Sequence, residues 1–392
     1  MLTPYVPYPP SSGGQIRTFN LLKYLSKRHQ ITLVALYKND DEKKYLNHLR
    51  RYCRKIYLCR RPQKPWQLSN ITKAVFSLLP FLIVRNFSSE AKQVVSNLLI
   101  EERFDVIHAE TFYIMPHIPI TKIPIVLVEQ TIEYEVYQHF INSLALPIRL
   151  LLSIDILKLK YWERYYWRKA SRVATVSAAD EQLIQKLEKN IHTSIVPNGA
   201  GDEMIVKKLE KKDIKMPIIL FQGNFNWLQN IEAAKFLVND IYPKLKQLLP
   251  DVAIVISGQN AHKIQALNQS GIKIVDNPPD DGQFIKTVYL QASIFIAPIF
   301  GPGGTRLKIL AAMASGLPVI ATTTGIEGLA VKNNRDVLIA NNSDTFIEKI
   351  IYIVKHPAQY QKIRCNAYEL VKQKYNWQSI TQKLEKLYEN QS

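Results

Sequence analysis

At 392 residues the chain is long enough for two domains with cores of their own, and a hydrophobic content of 47% with 10% aromatics excludes a disordered or fibrous protein. Cys53, Cys59 and Cys365 form neither a CxxC pair nor a zinc spacing, which excludes a disulfide scaffold and suits a reducing cytosol. The formal charge is +18, of which +12 falls in the first 200 residues; that excess suits anionic membranes, nucleic acid or phosphorylated substrates, and with no RNA- or DNA-binding module in the chain no nucleic acid partner is expected.

A proline-rich entry, Met1–Pro10, leads to Ser11-Ser12-Gly13-Gly14 and a predicted helix from about Gln15 to Lys27. Ile31–Leu36 reads as a strand. A glycine loop before a helix normally follows a strand, yet little precedes Thr3, so the central first strand is expected to be a stub or to be cut short. The basic run 42–64 reads as a helix followed by a strand at Lys55–Leu58, or as a membrane-facing surface. Trp66–Val84 is too short and interrupted to span a bilayer and is expected to pack as core rather than dip into an interface.

Phe104–Glu110 and Ile123–Val128 are strands that end in polar residues, His108 and Glu110 in one, Gln130 and Glu133 after the other. Ala145–Lys169 is a long amphipathic helix, Val173–Ser177 a strand, and Ser177 an N-cap before Asp180-Glu181. Residues 200–216, rich in lysine, read as a linker. Beyond it the predicted order is strand Ile218–Gln222, a turn at Gly223, helix Asn230–Leu249, strands Ala253–Ser257 and Ile272–Val275, and a helix near Gly282–Leu290. Alternating strands and helices predict an α/β protein of two doubly wound domains.

The chemistry concentrates in Gly301–Thr322. A buried strand, Ala292–Phe300, is followed by glycines, an Ala/Leu/Met helix closed by Gly316, and a second strand from Val319. Glycines allow close backbone approach, the helix start offers free N–H groups, and Arg306 and Lys308 add two charges, which together suit a phosphate or diphosphate. The spacing is neither a dinucleotide fingerprint nor a P-loop, and the residues alone also allow a tight loop with a solvated Arg and Lys.

Taken in order, Pro4–Thr18, Phe104–Glu110, Trp162–Ser177, Val196-Pro197-Asn198-Gly199, Phe221–Asn230, Gly303–Thr322 and Gly325-Ile326-Glu327-Gly328-Leu329 resemble the retaining GT-B glycosyltransferases of family 4 (glycosyl transferases group 1). The resemblance implies two Rossmann-like domains facing a cleft: 1–205 on the acceptor side with a truncated first strand, 206–375 for the nucleotide-sugar donor, and a helix at 376–392 crossing back. Arg306 and Lys308 would neutralise the donor diphosphate, with Gly303, Gly304 and Thr305 bonding the same group. Gly223 and Asn224 would line the donor side, and the Gly13-Gly14 loop would approach the diphosphate from the other domain; a plain turn is the alternative for Gly223-Asn224.

This sequence departs from the family pattern in three places. The two carboxylates of a Glu-x7-Glu pair would fall at Gly303 and Ala311, and both are missing; the one at Ala311 would hold the ribose hydroxyls, and Glu327 is the nearest acid in sequence. Gln130 stands where many relatives have a histidine, so it could orient a sugar but not carry a proton. Glu133 and His108 are the remaining candidates for catalysis, His108 also reading as a capped strand-end histidine. The resemblance implies a UDP- or GDP-sugar substrate, a glycan or lipid-linked acceptor, no metal and no other cofactor. The localisation expected is cytoplasmic, with peripheral attachment to an anionic inner membrane face, since neither a signal peptide nor a spanning helix is visible.

Overall fold

The computed structural model describes residues 1–389 apart from 63, 65, 211–213, 215, 279–281 and 302–305. The chain divides into two compact units, Met1–Pro197 with Ile380–Ser392, and Asn198–Ser379. The division thus falls after Pro197 rather than after 205, and the return comes at Ile380 rather than 376. The stretch read as a linker is anchored instead: Ala200, Met204 and Ile214 are buried in the core of the second unit. Its lysines masked that apolar spacing.

The first unit holds seven parallel strands, β1 (Leu2–Thr3), β2 (Thr32–Tyr37), β3 (Lys55–Arg60), β4 (Ile107–Glu110), β5 (Ile125–Glu129), β6 (Arg172–Thr175) and β7 (Thr193–Ile195), in the order β3-β2-β1-β4-β5-β6-β7. The two-residue β1 is central, pairing Leu2 with Val34 on one side and Ala109 on the other. Chain direction across the sheet reverses at β1/β4, the place where open α/β sheets gather ligands at their carboxyl edge.

The second unit repeats the plan with β8 (Ile218–Asn224), β9 (Ala253–Gln259), β10 (Ile272–Asp276), β11 (Ile294–Ala297), β12 (Val319–Ala321) and β13 (Leu338–Ile339), ordered β10-β9-β8-β11-β12-β13 and also parallel. Its central strands are covered on both faces, which is why Ile294–Ala297 and Val319–Ala321 are apolar without alternation. Their parallel pairing, with the helix Leu307–Ala314 between them, forms the expected βαβ unit. Gly316, at φ 72°, ends that helix in the left-handed conformation.

Four local expectations change. The first helix runs Gly13–Leu25, so Gly13 and Gly14 form its first turn rather than a loop; Ser12 caps it by accepting from Gln15 N. Gly223 and Asn224 are the last residues of β8 rather than a turn. The helix expected over Asn230–Leu249 is three pieces, Leu228–Phe236, a π-helical turn Leu237–Ile241 and Tyr242–Leu248, because Pro243 has no N–H for the ladder. Trp66–Val84 is not simply core: it folds into helices Leu68–Phe76 and, from Phe81, Phe81–Asn86, and leaves Trp66, Leu68, Val75, Phe76 and Leu78 exposed.

Candidate active site

In the second unit polar groups collect where β8 ends and the helix Leu307–Ala314 begins. Arg306 is the helix N-cap residue, and its guanidinium donates to the Gly301 carbonyl at 2.8 Å. Lys308 stands in the first turn, where unpaired N–H groups and the helix dipole already favour an anion. Its Nζ donates to Asn230 Oδ1 at 2.6 Å and lies 5.0 Å from the Phe221 ring centroid. Asn230 is fixed in turn, Nδ2 donating to the Asn224 carbonyl at 2.8 Å. Gly223 makes room for this, since a Cβ there would come within 3.0 Å of Asn230 Cγ. The Tyr289 hydroxyl lies 3.0 Å from Gln222 Oε1 and 3.3 Å from the Lys308 carbonyl, pinning the first turn to β8.

Desolvation pulls the Lys308 amine well below its usual range, and Arg306 adds to the fall. A cation held among neutral partners beside a second cation is disfavoured until an anion arrives. Ala311 lies one turn further on the same partly exposed face, so the carboxylate expected there is absent from the cluster. Glu327 is exposed in the segment after β12, and among the described residues its carboxylate makes no hydrogen bond or ion pair. The Asn224 side chain is committed to its own corner, bonding Gln259 Oε1 at 2.8 Å and Asn226 N at 3.0 Å. Gly303, Gly304 and Thr305 lie outside the described residues.

The first unit has its own polar group at the carboxyl edge of β1, β4 and β5. Its hub is Glu110, fully buried: His108 Nε2 is 3.0 Å and Arg17 Nε 4.0 Å from Oε1, and Gln130 Nε2 donates to Oε2 at 2.6 Å. Gln130 Nε2 is also 2.9 Å from Tyr5 Oη, and Tyr5 Oη is 3.1 Å from Thr18 Oγ1. Arg17 donates to the carbonyls of Val196 and Pro197, each at 3.1 Å. Burial raises the Glu110 carboxyl, but His108, Arg17 and Gln130 outweigh it and hold it below the usual range. Burial lowers His108. A neutral His108 therefore donates from Nε2 to Glu110 and accepts at Nδ1 from Tyr388 Oη, 2.6 Å away. Both ring nitrogens of His108 are thus engaged by protein partners. Gly14 belongs to this group too: a Cβ on it would meet Tyr5 Oη at 2.5 Å and Gln130 Oε1 at 2.9 Å, so its space is taken by protein.

Glu133 belongs to a different cluster from Gln130. It opens the helix Glu133–Asn142, whose first N–H groups, those of Glu133 and Tyr134, donate to Glu163 Oε1 at 2.8 Å and Oε2 at 3.2 Å. Glu129 accepts from Trp167 Nε1 at 2.8 Å. Burial holds Glu129 and Glu163 well above the usual carboxylate range. Burial likewise pushes Glu133 up to about 7, with Arg85 opposing.

The folded chain thus binds a proton at Glu133 that the unfolded chain releases above pH 4.5, so stability falls as pH rises from there to about 7. Glu133→Gln is expected to stabilise the protein by about 2–3 kcal/mol at pH 8 and to leave it unchanged near pH 4. Denaturant unfolding at the two pH values checks this; an equal effect at both would place the Glu133 carboxyl in water.

Of the residues singled out in the sequence, Gln130 and His108 gather around Glu110, and Arg306 and Lys308 stand at one helix start; Arg17, Tyr5 and Asn230 were not singled out. The signal was present: Arg17 and Thr18 precede Leu21 and Leu22 by one turn, and Asn230 precedes Ala233, Ala234 and Leu237 at helical spacing. Each is a polar residue on a buried stripe.

Comparison with known proteins agrees with both halves. Residues 11–203 match the model described as Glycosyltransferase Family 4, and residues 216–356 that described as Glycosyl transferases group 1. An uncharacterized 44.6 kDa protein in the cps region of Klebsiella pneumoniae is 23% identical over 389 residues, covering 95% of each chain. Sucrose-phosphate synthase of Thermosynechococcus elongatus matches with a TM-score of 0.70 at 16% identity, over 99% of this chain and 98% of that one. Anabaena HepE, solved in complex with UDP and glucose, matches with a TM-score of 0.65 at 14% identity over the same shares, 99% and 98%. The fold is GT-B, and the protein belongs to the family 4 glycosyltransferases, the glycosyl transferases group 1.

Proposed function

We propose that the protein is a retaining hexosyltransferase that moves a sugar from UDP- or GDP-sugar to a glycan or lipid-linked acceptor during assembly of a cell-surface polysaccharide. The observation that carries this reading is the desolvated Lys308 in the first turn of the helix Leu307–Ala314, with Arg306 beside it. Breaking the anomeric C–O bond leaves a nucleoside diphosphate whose charge grows as the bond lengthens, and two cations at a helix start stabilise that charge. The chemistry needs no protein nucleophile if the departing phosphate takes the proton of the acceptor hydroxyl on the same face. In this reading Gln130 orients the sugar and no metal takes part. The UDP bound to HepE and the cps setting of the Klebsiella relative support the choice of donor and product class.

Ala311 favours a second reading, a catalytically impaired relative that serves as a binding or scaffold subunit. The two are separated by a donor panel applied to the wild type and to Ala311→Glu. Ala311 is partly exposed at the edge of the second unit's core, one turn beyond Lys308 on the same helix. Bonding the ribose hydroxyls, a glutamate there is expected to tighten UDP-sugar by about tenfold or more. Turnover by the wild type supports the transferase; turnover that appears only in Ala311→Glu supports the impaired relative.

The peripheral attachment is part of the proposal. Phe76 is 89% and Leu78 83% exposed, and on the long helix Leu146–Lys169 the residues Leu146, Leu150, Leu151 and Leu157 are exposed as well. The two segments are joined: Lys158 Nζ donates to the carbonyls of Ala74 and Ser77, each at 2.8 Å, and Trp162 Nε1 to that of Leu78 at 2.8 Å. Among the described residues no helix is long and apolar enough to cross a membrane. An apolar face in a basic unit suits the surface of an anionic bilayer. Sedimentation with vesicles is expected to rise when phosphatidylglycerol is added to phosphatidylcholine and to fall for Phe76→Ser/Leu78→Ser; equal sedimentation in all arms would dismiss it.

A further inference from the structure

The carboxyl edge of the first sheet carries a second group of charges, apart from Glu110. Lys38 directly follows β2 and Arg61 directly follows β3. The helix Phe81–Asn86 brings Arg85 and Asn86 to them. Arg61 donates to Asn86 Oδ1, and Arg85 donates to Tyr137 Oη at 2.8 Å. Asn86 is buried and fixed, its Nδ2 donating to the Leu82 carbonyl at 2.8 Å. None of the three cations has a carboxylate within ion-pair distance among the described residues, and Arg61 Nε is buried without a partner. Glu42, Glu133 and Asp155 are the acids whose fields reach the group. Burial together with Arg85 depresses the Arg61 guanidinium, and burial together with Arg61 and Arg85 depresses Lys38.

We propose that Arg61 and Arg85, with Lys38, form the seat for a phosphate or diphosphate group of the acceptor. Like charges converging without a counter-ion repel one another unless an anion joins them. Two guanidiniums and an amine present forked and single donors of the kind a phosphate accepts. The tight placement of Arg61 by Asn86, and of Arg85 by Tyr137, pre-orients those donors. The helix that carries Arg85 also adjoins the exposed apolar face, since Phe81 N donates to Asp155 Oδ1 of the helix Leu146–Lys169 at 2.8 Å. A phosphate on a lipid carrier and a phosphate on a soluble sugar share this chemistry. That the anion belongs to an acceptor rests on the transferase reading; that the seat binds phosphate does not.

The test uses the full chain. Inorganic pyrophosphate is titrated by calorimetry into the wild type, Lys308→Met, Arg61→Gln/Arg85→Gln and Lys38→Gln. The same proteins are sedimented with phosphatidylcholine vesicles with and without a polyprenyl phosphate. Expected is pyrophosphate binding that survives Lys308→Met, is weakened about tenfold or more by the double variant, and about threefold by Lys38→Gln. Lys38→Gln leaves both guanidiniums and their partners in place, so it answers the question even where the double variant fails to fold. Loss of the polyprenyl phosphate effect in the double variant assigns the anion to a lipid carrier; loss in solution alone assigns it to a soluble acceptor. Pyrophosphate binding equal in the wild type, the double variant and Lys38→Gln overturns the proposal. Failure of the transferase reading is seen separately, as absent UDP binding by the wild type.

Discussion

Replacing Lys308 by methionine is expected to lower kcat/KM for the nucleotide sugar by about 10²–10³-fold while leaving the free protein as stable as before, or more so. The two effects have one cause. Lys308 donates to a neutral amide, Asn230 Oδ1, and has Arg306 as its charged neighbour, so its ammonium is disfavoured in the free protein. Methionine fills similar volume over Phe221 without that penalty. What it cannot do is meet the charge that develops on a departing diphosphate. Steady-state kinetics and thermal unfolding of the same preparation check both halves. A variant that unfolds earlier yet turns over normally would make Lys308 a structural residue.

The second large effect is expected at Glu110. Glu110→Ala should destabilise the protein by about 3–5 kcal/mol, the usual cost of removing one partner from a buried charged group. His108 Nε2 and Gln130 Nε2 would lose their acceptor, and Arg17 would keep its guanidinium in the interior without the carboxylate that faces it. The pH dependence has the opposite sign to that of Glu133. Glu110 is held below its ordinary 4.5, so its contribution is present at neutral pH and is lost as pH falls through the depressed folded value. Denaturant titration gives the loss directly. A change below about 1 kcal/mol would mean that the group tolerates the gap, as exposed polar sites do.

The strands and the βαβ cradle were legible because β11 and β12 are unbroken apolar runs and β8 opens on one, residues 218–221. Arg306 and Lys308 stood out for the same reason, as polar residues at a helix start. The Glu110 group was not legible, because its members come from residues 5, 17, 18, 108, 110 and 130, and only the β1/β4 reversal brings them together. Within each helix the clue was a polar residue on an apolar stripe. Glu163 between Leu159 and Trp167, and Arg364 between Tyr360 and Tyr368, are further cases, each buried and each bonding backbone groups of another segment. Exposed apolar residues misled in the other direction: the periodicity of Trp66–Val84 marks an apolar face, but nothing in a sequence says whether that face meets protein or another surface.

The central claim is that Lys308 and Arg306 serve a nucleoside diphosphate. Calorimetric titration of UDP, GDP and their sugars into the wild type and Lys308→Met tests it most directly. The account predicts binding of UDP or GDP by the wild type and loss of that binding in the variant. No binding across the panel, or equal binding by both proteins, would contradict it.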